Sequence, residues 1–155
     1  FLLIFKFKKQ SVLLILLVIP LIFASDQLSS EIIKPLVQRL RPSHTPGLEN
    51  LLHYINNQRG GTYGFVSSHA CNFFAGGTYL FLTASKRIKW LPFLIFPVVI
   101  LVVYIRMYLG VHYPSDIFCG ALLGALLGWL AAKIYFHFSG SIPGIKPKNQ
   151  VSEME

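Results

Sequence analysis

Lys34 and Arg41 stand seven residues apart, and Pro42 follows at once. An ammonium is a compact point charge and a guanidinium a planar fork, so the two together suit the several oxygens of a phosphate. In an unbroken helix this spacing leaves them about 20° apart in azimuth and about 10 Å apart along the axis, within reach of one anion, with Pro42 ending the helix. Cations at a helix end also snorkel to a membrane interface without any ligand. A second group, Gly64-Phe65-Val66-Ser67-Ser68-His69, runs straight into an apolar stretch. Serine here is a good N-cap, and the helix start behind it presents free amides and the positive end of a dipole to an anion. His69 falls in the first turn, as a polar cap or as a proton donor. A third group, Arg106, His112 and Asp116, surrounds a turn built from Gly110 and Tyr113-Pro114. Asp116 can complement the dipole of its own helix. It also stands four residues after His112, close enough to accept a hydrogen bond from one ring nitrogen and leave the lone pair of the other facing outward, as a nucleophile or base requires.

Each group alone has an ordinary structural explanation, but all three fall on the same side of the elements that must carry them. The chain has 155 residues, 54% apolar and 13% charged. Adding its 12 glycines brings the apolar share to about 62%, against roughly 45–50% apolar and 25% charged in soluble domains. That excludes a water-soluble globule and intrinsic disorder. A bilayer core asks for roughly 20 mainly apolar residues per helix, and four stretches meet that demand, about 11–33, 68–84, 91–109 and 115–138. The piece 1–7 reads as the remnant of an earlier span in an N-terminally truncated chain. Residues 34–66 form an outer loop, 1–138 a transmembrane bundle and 139–155 a flexible cytoplasmic tail.

The net charge of +8 would suggest nucleic acid in a soluble protein. Here the cations alternate with apolar runs, so no solvated basic face exists and nucleic acid is excluded. Lys6, Lys8, Lys9, Lys86, Arg87, Lys89, Lys133, Lys146 and Lys148 fall on one side, which the positive-inside rule makes cytoplasmic. Lys34, Arg39, Arg41, Arg59 and Arg106 fall on the other, where topology gives no reason for them. Gly120, Gly124 and Gly128 recur every four residues, so one helix face is small enough for a neighbour to approach closely. Trp90 suits an interfacial anchor, and Trp129 fits the bundle core equally well.

Lys34-x6-Arg41-Pro42, Ser67-Ser68-His69 and Arg106-x5-His112-x3-Asp116 together resemble the three-part signature of the type 2 phosphatidic acid phosphatase (PAP2) superfamily. The order and internal spacings match over about 29–138. Val66-Ser67-Ser68 replaces the common Pro-Ser-Gly and Ile105 the common serine, while every ionisable member stands. The resemblance implies an all-α polytopic bundle of the acid phosphatase–haloperoxidase kind and metal-independent hydrolysis of a lipid phosphate without a cofactor. It further implies that Lys34, Arg41 and Arg106 bind phosphate with Ser67 and the backbone at Ser68, that His112 attacks phosphorus, that Asp116 orients it and that His69 protonates the leaving oxygen. The expected setting is a bacterial inner membrane with the site on its outer face. The expected substrate is undecaprenyl diphosphate, phosphatidylglycerol phosphate or phosphatidic acid, the polyprenyl diphosphate first.

Two other readings keep the same residues. A phosphotransferase would pass the group to an alcohol, and a lipid-binding protein would hold headgroups without chemistry. A metal site assembled from His69, Cys71, His112, Asp116 and Cys119 is disfavoured, because both cysteines continue into membrane helices and the neighbouring cations would repel a metal. Both cysteines read as buried free thiols. Arg39 should point about 200° away from Arg41 toward lipid headgroups, and His44, His53 and Arg59 read as solvated loop residues. Asp26, ionisable within a span, is a functional candidate by default, with hydrogen bonding to another helix as the plain alternative.

Overall fold

The computed structural model describes residues 9–48, 51, 59–86 and 88–139. The expectations for 1–7, Lys6, Lys8, His53, Arg87 and 140–155 lie outside the described residues. The elements are α1 (Lys9–Gln27), a π turn (Leu28–Ile33), α2 (Lys34–Val37), a 3-10 turn (Pro42–His44), α3 (Ser68–Ala84), α4 (Leu91–Tyr108) and α5 (Pro114–Ser139). Among the described residues the chain is an all-α bundle. Three helical runs, Gln10–Val37, Leu91–Tyr108 and Pro114–Ser139, are long and apolar enough to cross a membrane. The remaining expected span, α3, has 17 residues, at the short end of the roughly 17–25 that cross a bilayer.

The first long run ends differently from the expectation. The π turn lies just ahead of Pro35, whose ring offers no N–H to the ladder and crowds the carbonyl four residues back. The helix then stops at Val37: Gln38 is left-handed, with φ 52°, and its N–H closes on the Lys34 carbonyl. Pro42 therefore opens the short 3-10 turn instead of ending the helix.

Close approach of α3 and α5 forms the centre of the bundle. A methyl group on Gly120 would come within 2.6 Å of the Ser67 carbonyl oxygen; on Gly124 it would collide with the Cys71 carbonyl and on Gly128 with that of Ala75. The small-residue face expected from sequence is thus the seam between two backbones. Toward the opposite end Leu14, Leu21, Ala75, Tyr79, Ala132 and Tyr135 pack together, and the Tyr79 hydroxyl donates to the Leu14 carbonyl at 3.0 Å. Large apolar side chains face outward instead, with Phe93 81% and Phe138 70% exposed, as expected of a protein solvated by lipid. Trp129 joins this outer surface, with the Lys133 ammonium 3.9 Å from its ring centroid. Trp90 is exposed at the start of α4. Gln10 on α1 donates to the carbonyl of Ser139 on α5 at 3.2 Å, so those ends meet at the pole opposite the N-terminus of α3.

Candidate active site

The stretch after α2 is held by backbone pairing. Leu40 bridges antiparallel to Tyr63, the Arg41 N–H donates to the Thr62 carbonyl at 3.0 Å, and the Gly64 N–H donates to that of Arg39 at 2.8 Å. Arg41 Nε donates to the Tyr63 carbonyl at 3.1 Å. Two glycines make room for this arginine. A methyl group on Gly60, whose φ is +69°, would lie 2.6 Å from Arg41 Nη1, and one on Gly64 would lie 3.1 Å from both Arg41 Cγ and Asp116 Oδ2. Lys34 and Arg41 do reach the same place, but by the turn at Gln38 and this pairing, since no continuous helix joins them.

That place is a cavity of about 830 Å³ lined at one end by Lys34, Arg41, Ser68, His69, Arg106 and His112. Lys34 Nζ donates to Ser68 Oγ and, at 3.5 Å, to Ser30 Oγ. The N-cap expectation holds with its two serines in different roles. Ser67 is fully buried and its hydroxyl accepts from the Ala70 N–H at 3.4 Å, capping α3. Ser68, not Ser67, presents its hydroxyl to the cavity. Gly110, at φ +61°, turns the chain after α4, and Pro114 opens α5.

His112 is 4% exposed, and its Nδ1 lies 3.7 Å from Asp116 Oδ2. Asp116 is fully buried yet well partnered: Oδ2 accepts from the Tyr113 N–H at 2.9 Å and Oδ1 from Arg39 Nη1 at 2.9 Å. Arg39 is therefore not a headgroup contact. The helical azimuth used to place it ends at Val37, and beyond that its guanidinium grips Asp116, donates to Ser115 Oγ at 2.7 Å and lies 4.3 Å from the Tyr113 ring centroid. Tyr113 is fixed in turn by a 3.0 Å hydrogen bond between its hydroxyl and Thr45 Oγ1.

Arg41 is pressed toward losing its proton by burial first and by the like charge of Arg106 second; a guanidinium nevertheless stays charged. Arg106 Nε is buried without a hydrogen-bond partner among the described residues. Cations held together with such a donor unmet fit an anion. Burial, followed by the charges of Arg41 and Lys34, holds the His112 ring below the ordinary histidine value of 6.5, against the pull of Asp116. An imidazole biased toward its neutral form, with a carboxylate 3.7 Å behind it and cations beside it, has the chemistry of a nucleophile or base. His44 hydrogen-bonds Ser43 at 3.1 Å, and Arg59, exposed, accepts from Ser43 through its carbonyl at 2.7 Å; neither lines the cavity. Asp26 has a partner, Asn72. Sequence reasoning passed over Gly60 and Asn72 and did not foresee the parts that Gly64 and Arg39 play; only the glycines carried a local signal, in the run Gly60-Gly61 and at Gly64.

The family model described as the PAP2 superfamily matches residues 11–139. A lipid A 4′-phosphatase of Bacteroides thetaiotaomicron is 41% identical over 107 residues, covering 68% of this chain and 47% of that protein. One from Porphyromonas gingivalis is 36% identical over 129 residues, covering 83% and 54%. The chain spans about half the length of these curated relatives. The crystal structure of a transmembrane PAP2 type phosphatidylglycerolphosphate phosphatase from Bacillus subtilis superposes with a TM-score of 0.59 at 26% identity, over 93% of this chain and 66% of that one.

Proposed function

The chain belongs to the PAP2 superfamily, and from that premise we propose that its cavity hydrolyses the phosphate ester of a membrane lipid through a phosphohistidine. One observation supports this most: three cations and two imidazoles meet at one end of a cavity whose far end is apolar. The ionic end suits a phosphate and the apolar end the hydrocarbon attached to it. Lys34, Arg41 and Arg106 take the three non-bridging oxygens, joined by the Ser68 hydroxyl and the amides that open α3. Ser67 acts indirectly, by capping the helix that presents Ser68.

Asp116 faces Nδ1 of His112, so Nδ1 keeps its proton and Nε2 its lone pair. The 3.7 Å contact shortens as positive charge develops on the ring. Nε2 bonds to phosphorus as the bond from phosphorus to the lipid oxygen breaks, and His69 donates a proton to that oxygen. In the second step His69, now neutral, takes a proton from water. The water oxygen bonds to phosphorus, the P–N bond breaks, and inorganic phosphate leaves with both imidazoles restored. Charge spreads over the equatorial oxygens throughout, so positioning and electrostatics supply most of the acceleration.

The ionic end of the cavity, with Ser68, His69 and His112, lies at the N-terminal end of α3 and just before that of α5, while Lys86, Lys89 and Lys133 lie toward the C-terminal ends of those helices. The positive-inside rule then puts the site on the outer face of a bacterial inner membrane, with four spans in this chain. Phosphate release from a panel of lipid phosphates in detergent, with metal chelated, tests the assignment; a panel that yields no phosphate overturns it.

Two further outcomes follow from the site. Arg39 is a positioning residue, since it touches Asp116 and does not line the cavity. Arg39→Ala is expected to lower kcat by about 10-fold, the lower end of what orienting partners usually contribute, with KM little changed and partial recovery in Arg39→Lys. A change confined to KM would assign Arg39 to substrate binding. The second concerns pH. The depressed pKa leaves the neutral form of His112 in the majority at pH 6.5, and the nucleophile is lost as pH falls through that lower value. Titration of the His112 ring resonance, identified by its absence in His112→Ala, should show a midpoint below 6.5. Asp116→Asn should move the midpoint further down, because a group that raises it is gone. A midpoint above 6.5 would mean that burial and the neighbouring cations do not favour the neutral ring, against the assignment of His112 as nucleophile.

A further inference from the structure

Beneath the ionic end, α1 and α3 carry a second set of polar groups with no part in the mechanism above. Asn72 Nδ2 donates to Asp26 Oδ1 at 3.1 Å, and Asn72 Oδ1 accepts from Ser25 Oγ at 2.6 Å. Ser25 is fully buried and fixes the amide, whereas Asp26 and Asn72 both line the cavity. Asp26 Oδ2 has no hydrogen-bond partner among the described residues, so one acceptor is free to meet whatever occupies the space. A carboxyl group at membrane depth is costly to keep, and one hydrogen bond to a neighbouring helix employs only half of it.

The spacing says what would meet it. Asp26, Ser30 and Lys34 follow one another at four-residue intervals, as do Ser68, Asn72 and Gly76 on α3, and all six line the cavity. The Lys34 ammonium folds back to Ser30 and Ser68, so the phosphate sits near the level of Ser30. Asp26 and Asn72 lie roughly one turn deeper, about 5 Å, the width of a sugar ring. Beyond them the lining turns apolar through Ile22, Leu80 and Ile95. The cavity thus has a cationic zone, a hydrogen-bonding zone and an apolar zone in succession.

We propose that Asp26 and Asn72 form a specificity subsite for the unit that carries the phosphate, selecting a lipid whose hydroxyl or amide groups stand about one ring from phosphorus, a phosphorylated glycolipid. This rests on the phosphatase reading of the cavity. A polyprenyl phosphate presents only hydrocarbon at that depth and would cover the Asp26 carboxyl without satisfying it. Sites built around a hydrogen bond reject analogues that cannot make it far more strongly than apolar sites reject an extra group.

The test compares kcat/KM for a glucosamine-based lipid monophosphate and a polyprenyl monophosphate, by phosphate release in detergent micelles. The wild-type chain should favour the glycolipid by at least about 10-fold. Asp26→Ala should abolish most of that preference by slowing the glycolipid alone, and Asp26→Asn, which keeps an acceptor, should retain much of it. Turnover of the polyprenyl substrate reports that each variant is folded. Equal loss on both substrates would assign Asp26 to helix packing and overturn the subsite, as would a wild-type chain without preference. No release from either substrate would overturn the phosphatase reading itself, and the subsite with it.

Discussion

Replacing His112 with alanine is expected to abolish phosphate release, by on the order of 10⁴-fold or more, the scale seen when an enzyme loses its nucleophile. The ring is 4% exposed, lines the cavity beside Lys34, Arg41 and Arg106 and has Asp116 behind it; among the described residues no other imidazole in the cavity has a carboxylate within 4 Å. In the proposed mechanism His69 does not substitute, because it has no such acid among the described residues and is needed as the donor. His69→Ala should be slower by about 10²–10⁴-fold, the usual contribution of general acid catalysis, while still forming the covalent phosphoenzyme. Labelling with a radioactive lipid phosphate separates the two variants: label retained by His69→Ala, none on His112→Ala. Ordinary turnover by His112→Ala would refute the nucleophile assignment. Inorganic phosphate should still bind His112→Ala, since the cations remain, which distinguishes lost chemistry from a collapsed site.

Gly124→Val should disrupt the bundle more than any substitution on its outer surface. The first added carbon already collides with the Cys71 carbonyl and crowds the Ala75 amide nitrogen at 3.0 Å, and backbone atoms cannot rotate away as a side-chain tip can. Gly124→Ala is expected to cost about 1–3 kcal/mol, typical of overpacking, and valine more. Activity should fall with stability, because the same seam fixes the site: the Ser67 N–H donates to the Asp116 carbonyl at 3.0 Å, joining the start of α3 to the start of α5. Spreading the seam carries Ser68 and His69 away from His112. Thermal unfolding in detergent, with Leu126→Val on the exposed face of the same helix as the control, measures the effect. A Gly124→Val protein as stable as that control would mean that the two backbones do not meet as described.

What the amino-acid order fixed is whatever depends on near neighbours or on a short period. The apolar runs marked the helices to within a few residues, the serine pair was recognisable as holding a cap, Gly110 and Pro114 as a turn and a helix start, and the glycines at four-residue intervals as a contact face. The residues that could give the cavity its proposed chemistry were readable for the same reason: charge and nucleophilicity belong to side-chain type, and His112 and Asp116 lie four positions apart.

What folding in three dimensions added concerns direction and distant pairing. Treating 34–41 as one helix sent Arg39 toward lipid, whereas a single left-handed residue at Gln38 turns it onto Asp116, 77 positions away. No local pattern distinguishes Ser67 from Ser68 as the hydroxyl that enters the cavity, since one residue's difference at a helix start decides which side chain caps and which points outward. Asp26 gains a hydrogen-bond partner and a place on the cavity wall only because α3 sets Asn72 and the cavity beside it. Spacing along a chain specifies which groups can act, but their aim depends on backbone turns and on partners that the sequence holds far apart.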